Sequence, residues 1–183
     1  LQQALEVGEK TNDRLIETYA LGYLGQLYEQ DGQAEAALSL TRRAVFTAQQ
    51  AQLPEALYRW EWQTGRLLRT RGDIEPAIAA YRRAVQTLQP IRSDVSLGYG
   101  NAAARRSFRE SEGPLFFELA DLLLQQAKSA TDPKREQELL LEARDTVEHL
   151  KTVELEDYFC DDCVDVQRGR TRALEAVDEN TAV

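Results

Sequence analysis

The chain has 183 residues and a formal net charge of -9, from 31 acidic and 22 basic side chains. An overall negative field repels phosphate backbones, so nucleic acid is not the expected partner. Hydrophobic residues make up 43% of the chain, which suits a folded core, and no apolar run approaches the roughly 20 residues that span a bilayer.

The first ninety residues repeat at an interval of forty. Leu1–Leu5, Thr41–Val45 and Tyr81–Val85 align, as do Gly25 with Gly65, Gly32 with Gly72, Ala37 with Ala77, and Leu38 with Ile78. Self-similarity at a fixed period of this length is typical of helical repeat proteins, whose units bury their apolar faces by stacking.

Each unit has the pattern of a helical hairpin. Apolar residues at helical spacing predict a first helix from Arg14 to Gln30. Asp31–Gly32 predicts a turn, because glycine tolerates positive φ. The helical pattern then resumes from Ala34 to Ala48.

The second hairpin is predicted to begin at Pro54, since proline suits the first turn of a helix. We expect this helix to reach about Thr70 and to be closed by Gly72. The side chain of Asp73 is expected to cap the following helix, and Pro76 lies early enough in that helix to be tolerated.

The pattern loosens beyond Gln89. A chain break is predicted at Glu112–Pro114, a densely apolar helix over Phe116–Leu124, and another helix from Asp132. We therefore divide the chain into repeats at 1–92, a degenerate repeat with capping helices at 93–159, and a polar linker at 160–183 that we expect to lead to a further domain. Terminal helices of this kind cover the last apolar face of a repeat array.

The small and large residues of the two hairpins resemble the tetratricopeptide (TPR) pattern. They are Leu24, Gly25, Tyr28, Gly32, Ala37 and Ala44 in the first unit, and Gly65, Leu68, Gly72, Ala77, Tyr81 and Ala84 in the second. The resemblance implies an all-α fold, a right-handed solenoid of antiparallel helical hairpins with a C-terminal helical capping segment. The alternative is a helical bundle without a repeat.

The chain departs from the TPR pattern in two ways. Its period is 40 residues rather than about 34, which predicts helices extended near Gln49–Glu55 and Leu88–Val95. The tryptophan position of the motif holds Leu21 and Glu61.

The TPR resemblance implies a concave groove, lined by the first helix of each hairpin, that binds a protein or peptide. The groove positions of the first unit are Tyr19, Gly22, Gln26, Glu29 and Gln30, and those of the second are Arg59, Trp62, Arg66 and Arg69. The forty-residue shift adds Tyr99 and Arg106, and the residues expected to bind the partner are Tyr19, Gln26, Arg59, Trp62, Arg66, Arg69, Tyr99 and Arg106. An exposed tryptophan among arginines is typical of binding hot spots, and arginine grips carboxylates bidentately, which favours an acidic partner. The alternative is a solvated row of arginines with Trp62 packed inward.

The segment from Ile91 to Val164 is similar to the stretch that joins TPR arrays to CHAT domains, which are caspase-like peptidase domains of bacterial proteins. The likeness rests on Tyr81–Val85, Leu119–Leu124, Glu154–Phe159 and Asp162–Val164. It implies an alternative function, in which this chain is the regulatory or sensory arm of a peptidase whose catalytic domain lies beyond Val183. No residue of this chain inherits a catalytic role.

Cys160 and Cys163 form a single C-x-x-C motif, and His149 is the one histidine. A structural zinc site wants four ligands, so we expect bystander thiols, with metal or redox chemistry as the alternative. His149 is expected at the surface near a helix end. We therefore predict no catalytic residue, metal or cofactor, and the two cysteines favour a reducing, cytoplasmic setting. The incomplete first hairpin predicts apolar surface at that end, through which copies of the chain could associate.

Overall fold

The structure is a computed structural model that describes residues 1–92 and 108–159. Within these ranges the chain is helical and contains no strand, which confirms the prediction of an all-α protein. The helices are α1 (Gln2–Thr11), α2 (Arg14–Gln30), α3 (Ala34–Gln50), α4 (Pro54–Arg71), α5 (Ile74–Leu88), α6 (Phe108–Ser111), α7 (Gly113–Ser129) and α8 (Pro133–Phe159), with a 3-10 turn at Gln89–Ile91 between α5 and α6.

Glycines close the tight turns inside the hairpins. Gly32 has φ 73° and Gly72 has φ 83°, the left-handed region that favours glycine. Gly72 ends α4 as predicted, and its N–H bonds to the carbonyl of Arg69. Asp73 is the N-cap residue of α5 as predicted, but its side chain makes no capping hydrogen bond, because its carboxylate pairs with Arg71 Nε at 3.1 Å.

The corner between α3 and α4 is a short connection. Helices extended near Gln49–Glu55 were predicted, and α3 does continue to Gln50 while α4 begins at Pro54, although the residues between them are not helical. Gln52 adopts φ 54° in this connection, a conformation that a helix cannot contain. The long period therefore comes from helices of 17 and 18 residues, with the chain turning between them.

Gly25 and Gly65 occupy the same place in their hairpins. A Cβ on Gly25 would lie 2.5 Å from Thr41 Oγ1, and a Cβ on Gly65 would lie 2.7 Å from the Tyr81 ring. Thr41 and Tyr81 are themselves forty residues apart. In both hairpins, glycine lets the backbone of the first helix approach a side chain of the second more closely than any other residue would permit.

The helices stack as three hairpins, α2–α3, α4–α5 and α7–α8. Successive first helices run parallel, since contacts between them advance in the same direction along both helices. Gly22 and Glu29 of α2 meet Trp60 and Arg66 of α4, and Trp62 and Arg69 of α4 meet Glu118 and Asp121 of α7. The second helices α5 and α8 also run parallel, since Arg82 meets Glu142 and, seven residues further along both segments, Gln89 meets His149. Each hairpin thus lies beside the next in one orientation, and α1 packs on α2 ahead of them.

Two clusters of buried side chains hold the hairpins together. One surrounds Trp60 at the contact between the first and second hairpins and contains Leu21, Ala44, Ala48 and Ala56. The larger cluster lies mainly between the second and third hairpins and also includes Ala37 and Leu38 of α3, with Tyr58, Tyr81 and Phe116 among its fully buried side chains. Burial of apolar area at these two contacts is the main stabilising term for the stack.

Candidate partner-binding face

The predicted partner-binding residues within the described ranges lie on two neighbouring parallel helices. Tyr19 and Gln26 belong to α2, and the other four, Arg59, Trp62, Arg66 and Arg69, belong to α4. We call these six residues, with Glu118 and Asp121 of α7, the candidate face. Tyr99 and Arg106 lie outside the described residues, and the described helix that lies beside α4 is α7.

Arg66 is held by groups of its own chain. Its Nε and Nη2 donate to the two carboxylate oxygens of Glu29 at 3.1 and 3.2 Å, a bidentate pair between α4 and α2. Its guanidinium also lies over the Trp62 ring, with Cζ 5.4 Å from the ring centroid. These two contacts fix the planar group in place, since each uses a different feature of it.

Trp62 is half-buried, which lies between the exposed tryptophan of the prediction and the inward-packed one of the alternative. Its indole N–H donates to Glu118 Oε2 at 2.8 Å, and the hydroxyl of Tyr81 donates to the same oxygen at 2.8 Å. Burial and then the negative charge of Glu118 raise the pKa of Tyr81, so its hydroxyl keeps its proton. Glu118 therefore ties the third hairpin to two helices of the second.

Arg69 makes the most open of these pairs. Its Nη2 lies 2.7 Å from Asp121 Oδ2, and both side chains are well exposed to solvent. Gln125 also donates to Asp121 Oδ2, at 2.9 Å. An exposed ion pair of this kind stabilises the fold by only about 0 to 1 kcal/mol. Replacing Asp121 at Arg69 by a carboxylate of another molecule therefore costs little free energy.

Arg59 lies at the buried edge of the face. Its Cζ is 5.5 Å from the Tyr58 ring centroid, and the Tyr58 hydroxyl donates to Glu112 Oε1 at 3.1 Å. Burial raises the pKa of Glu112, while the Tyr58 hydrogen bond and the charge of Arg59 act in the opposite direction. This group joins the second hairpin to the chain segment that leads into α7.

Tyr19 belongs to an aromatic cluster with Tyr23 and Trp60. Its ring centroid lies 6.1 Å from that of Tyr23 and 6.0 Å from that of Trp60. Gln26 is half-buried beside them on the same helix. The α2 side of the face is therefore aromatic and neutral, whereas the α4 side is charged.

Sequence reasoning placed Glu29 among the groove positions but did not identify it as the partner of Arg66. Glu118 and Asp121 were missed, since no local pattern distinguishes them from the chain's many other acidic residues. Gln63 was missed as well: it is buried and donates to the Gly22 carbonyl at 3.2 Å and to Thr41 Oγ1 at 2.7 Å. All four act across helices that are far apart in sequence.

His149 does not lie near a helix end. It is half-buried within α8, where its Nε2 is 3.3 Å from Gln89 Nε2 and its ring centroid is 5.8 Å from that of Phe116. It lines a cleft of about 480 Å³ together with Val85 and Leu141. Cys160 and Cys163 lie outside the described residues, and within 1–92 and 108–159 no three His, Cys, Asp or Glu side chains form a group that could hold a metal ion.

Comparisons of the chain with protein-family models, with curated proteins and with solved structures find no significant match. The resemblance to TPR repeats therefore rests on residue spacing. Of the helices that the structure describes, none combines the length and apolarity of a membrane span.

Proposed function

We propose that the chain is a TPR-type solenoid that serves as a protein-interaction scaffold and binds a partner protein or peptide on the candidate face. The observation that carries the proposal is the equivalent close contact of Gly25 with Thr41 and of Gly65 with Tyr81. A small residue that repeats against the second helix of each hairpin is what the TPR pattern requires. Stacked hairpins of this kind create extended surfaces that bind partners.

The contacts of the face support an acidic group in the partner, and they favour Arg69 as its anchor. Arg66 has both a bidentate acid and an aromatic ring as neighbours, so a ligand would have to displace Glu29 to reach it. Arg69 offers an exposed guanidinium whose partner Asp121 is itself exposed. A carboxylate of the partner replaces Asp121 at Arg69, while the neutral surface of Tyr19 and Gln26 packs against its apolar part.

Binding of a fluorescein-labelled peptide of alternating Glu and Leu residues, followed by fluorescence anisotropy, tests this proposal. We expect Arg69→Glu to weaken binding at least tenfold, because it replaces attraction by repulsion, and we expect rising salt to weaken wild-type binding. Arg144→Glu is the control, since Arg144 pairs with Asp145 on α8, outside the candidate face, and its side chain is also exposed, at 63% against 38% for Arg69. Equal affinity of the wild type and both variants would exclude this face as the binding surface.

A further inference from the structure

Within the described residues, two clefts lie at equivalent places between the second helices of neighbouring hairpins. One, of about 360 Å³, has walls from α3 and α5 and a floor from α4, and we call it the α3–α5 cleft. The other, of about 480 Å³, has walls from α5 and α8 and a floor from α7. Val45 and Val85, forty residues apart, line the two clefts in turn. The α3–α5 cleft lies inside the stack of hairpins, and neither end of the chain borders it.

The two clefts differ in how they neutralise an arginine. Between α5 and α8, Nε and Nη2 of Arg82 donate to the two carboxylate oxygens of Glu142, both at 2.6 Å. The counterpart of Arg82 on α3 is Arg42, forty residues earlier. Glu142 is the tenth residue of α8, and the tenth residue of α5 is Arg83. The α3–α5 cleft therefore has an arginine where the neighbouring cleft has the carboxylate.

The two arginines that line the α3–α5 cleft exceed the acid available to them. In the part of the chain that the structure describes, the Arg42 side chain makes no hydrogen bond or ion pair. Arg83 Nε lies 3.7 Å from Glu61 Oε1, which is too far for a hydrogen bond. The other oxygen of Glu61, a buried residue, accepts from Thr87 Oγ1 at 2.8 Å. Two guanidiniums against one carboxylate leave the cleft with one positive charge.

The rest of the lining is largely aliphatic. Val45, Leu68 and Ala79 contribute apolar surface from all three helices of the cleft. A ligand with an apolar body would remove this surface from water, which a small inorganic anion would not do. The volume of the cleft falls at the lower end of the range of about 300 to 1,000 Å³ for small-molecule sites. The lining thus suits a short aliphatic ligand with an anionic group.

We propose that the α3–α5 cleft binds a small organic acid, with its carboxylate between Arg42 and Arg83 and its aliphatic body against the apolar walls. The carboxylate has the role at Arg42 that Glu142 has at Arg82, and it accepts charge-assisted hydrogen bonds. Its single negative charge matches the single positive charge of the cleft, which favours a monocarboxylate over a phosphate dianion. The residues that line the cleft differ from those of the candidate face, so this is a second site.

Titration of hexanoate into the full ¹⁵N-labelled chain, followed by NMR, tests the proposal. We expect saturable shifts of backbone amides around Val45, Leu68 and Ala79. Hexan-1-ol has the same aliphatic body without the charge, and inorganic phosphate has the charge without the body. Each should bind at least tenfold more weakly than hexanoate, because each lacks one of the two contacts.

Substitutions separate this site from a general attraction of anions to the chain. Arg42→Gln and Arg83→Gln should each weaken hexanoate binding at least tenfold, and Glu61→Gln should strengthen it about threefold or more, since it removes a competing negative charge. Arg43→Gln is the matched control, because it removes the same charge from the next position on α3, where Arg43 pairs with Glu9. It should leave the affinity unchanged. Arg42 and Arg83 are exposed, so circular dichroism should report an unchanged helical fold in both variants.

Three results would overturn the proposal. They are absence of saturable hexanoate binding, equal affinity in Arg42→Gln and the wild type, and binding of hexan-1-ol or phosphate as tight as that of hexanoate. None of these variants alters the candidate face. Failure here therefore leaves the proposed function standing, and the reverse also holds.

Discussion

Gly22 lies against the indole of Trp60 so closely that a Cβ on residue 22 would stand 2.2 Å from the ring. Trp60 is buried, and it is the largest side chain at the contact between the first and second hairpins. The bare backbone of one helix therefore provides the surface on which the indole of the next hairpin rests. Stacking of these hairpins therefore depends on the missing side chain at Gly22 as much as on the indole of Trp60.

The first prediction concerns Gly22→Ala. In a helix this change normally stabilises by about 1 kcal/mol, because alanine has the better helix propensity. Here we expect destabilisation by about 1 to 3 kcal/mol, the usual cost of overpacking a core, since the buried indole must move. Urea unfolding followed by circular dichroism measures the difference.

Trp60→Leu provides the control for this prediction. When two substituted residues are in contact, their separate changes in the free energy of unfolding do not simply add. In the Trp60→Leu background we therefore expect Gly22→Ala to be neutral or stabilising. Additive costs in the double variant would contradict the clash as the cause.

The second prediction concerns the buried amide of Gln63, which links α4 to α2 and α3. Gln63→Leu keeps a similar volume but leaves Thr41 Oγ1 without its donor, and we expect a loss of about 1 to 3 kcal/mol in the free energy of unfolding. Exposed Gln49→Leu on α3 is the control and should change stability by less than about 0.5 kcal/mol. If Gln63→Leu stabilises the chain, the polar bridge is not what aligns these helices.

The sequence was sufficient to predict the hairpins but insufficient to predict their pairings. Helix bounds follow from local features, so Arg14–Gln30 agrees with α2 to the residue and Gly72 ends α4 as expected. Whether the Asp73 side chain caps α5 depends on the conformation of the Arg71 side chain, with which it pairs. The local sequence pattern does not determine that conformation. The same limit applied to Trp62, whose half-buried position depends on Glu118, 56 residues away in the chain.

The forty-residue repeat also did not predict the position of the third hairpin. A forty-residue shift from α4 leads to Tyr99 and Arg106, outside the described residues, while α7 begins only at Gly113. A fixed interval predicts a unit only where the chain keeps that interval. The stretch between α5 and α7 is longer than the turns within the hairpins, so the third unit follows at a different spacing.

The third prediction is a pH dependence that comes from Glu61. Burial raises the pKa of this carboxyl above its ordinary value of 4.5, despite a hydrogen bond from Thr87 and the charge of Arg83. The folded chain thus holds the proton more tightly than the unfolded chain does. The protonated form of Glu61 therefore favours the folded chain. This stabilisation is fully present below the pKa of Glu61 in the unfolded chain, and it is lost as the pH rises through the higher pKa of the folded chain.

Glu61→Gln should remove this dependence, because an amide accepts the Thr87 hydrogen bond without a charge to desolvate. We expect the variant to be more stable than the wild type at about pH 7, with the difference shrinking as the pH falls toward about 4.5. Urea unfolding at several pH values measures it, with exposed Glu55→Gln as the control. A difference that does not vary with pH would contradict burial of the charge as the cause.

The fourth prediction is that Glu118 holds the third hairpin in place. Its Oε2 receives both the Trp62 indole N–H and the Tyr81 hydroxyl, and these donors lie on different helices of the second hairpin. Glu118→Ala leaves both donors without their acceptor. We expect the free energy of unfolding to fall by about 1 to 3 kcal/mol for each donor that stays buried. Glu118→Gln keeps an acceptor oxygen and should cost less.

Hydrogen exchange distinguishes local from global effects of this change. We expect amides of α7 and α8 in Glu118→Ala to exchange at least tenfold faster than in the wild type, since about 1.4 kcal/mol is a factor of ten in an opening equilibrium. Amides of α2 and α3 should be little affected, because their contacts with each other and with α4 do not involve Glu118. Exposed Glu138→Ala on α8 should leave all four helices unchanged. Equal acceleration in the first and third hairpins would mean that the stack opens as one unit, and that Glu118 does not act at a separable junction.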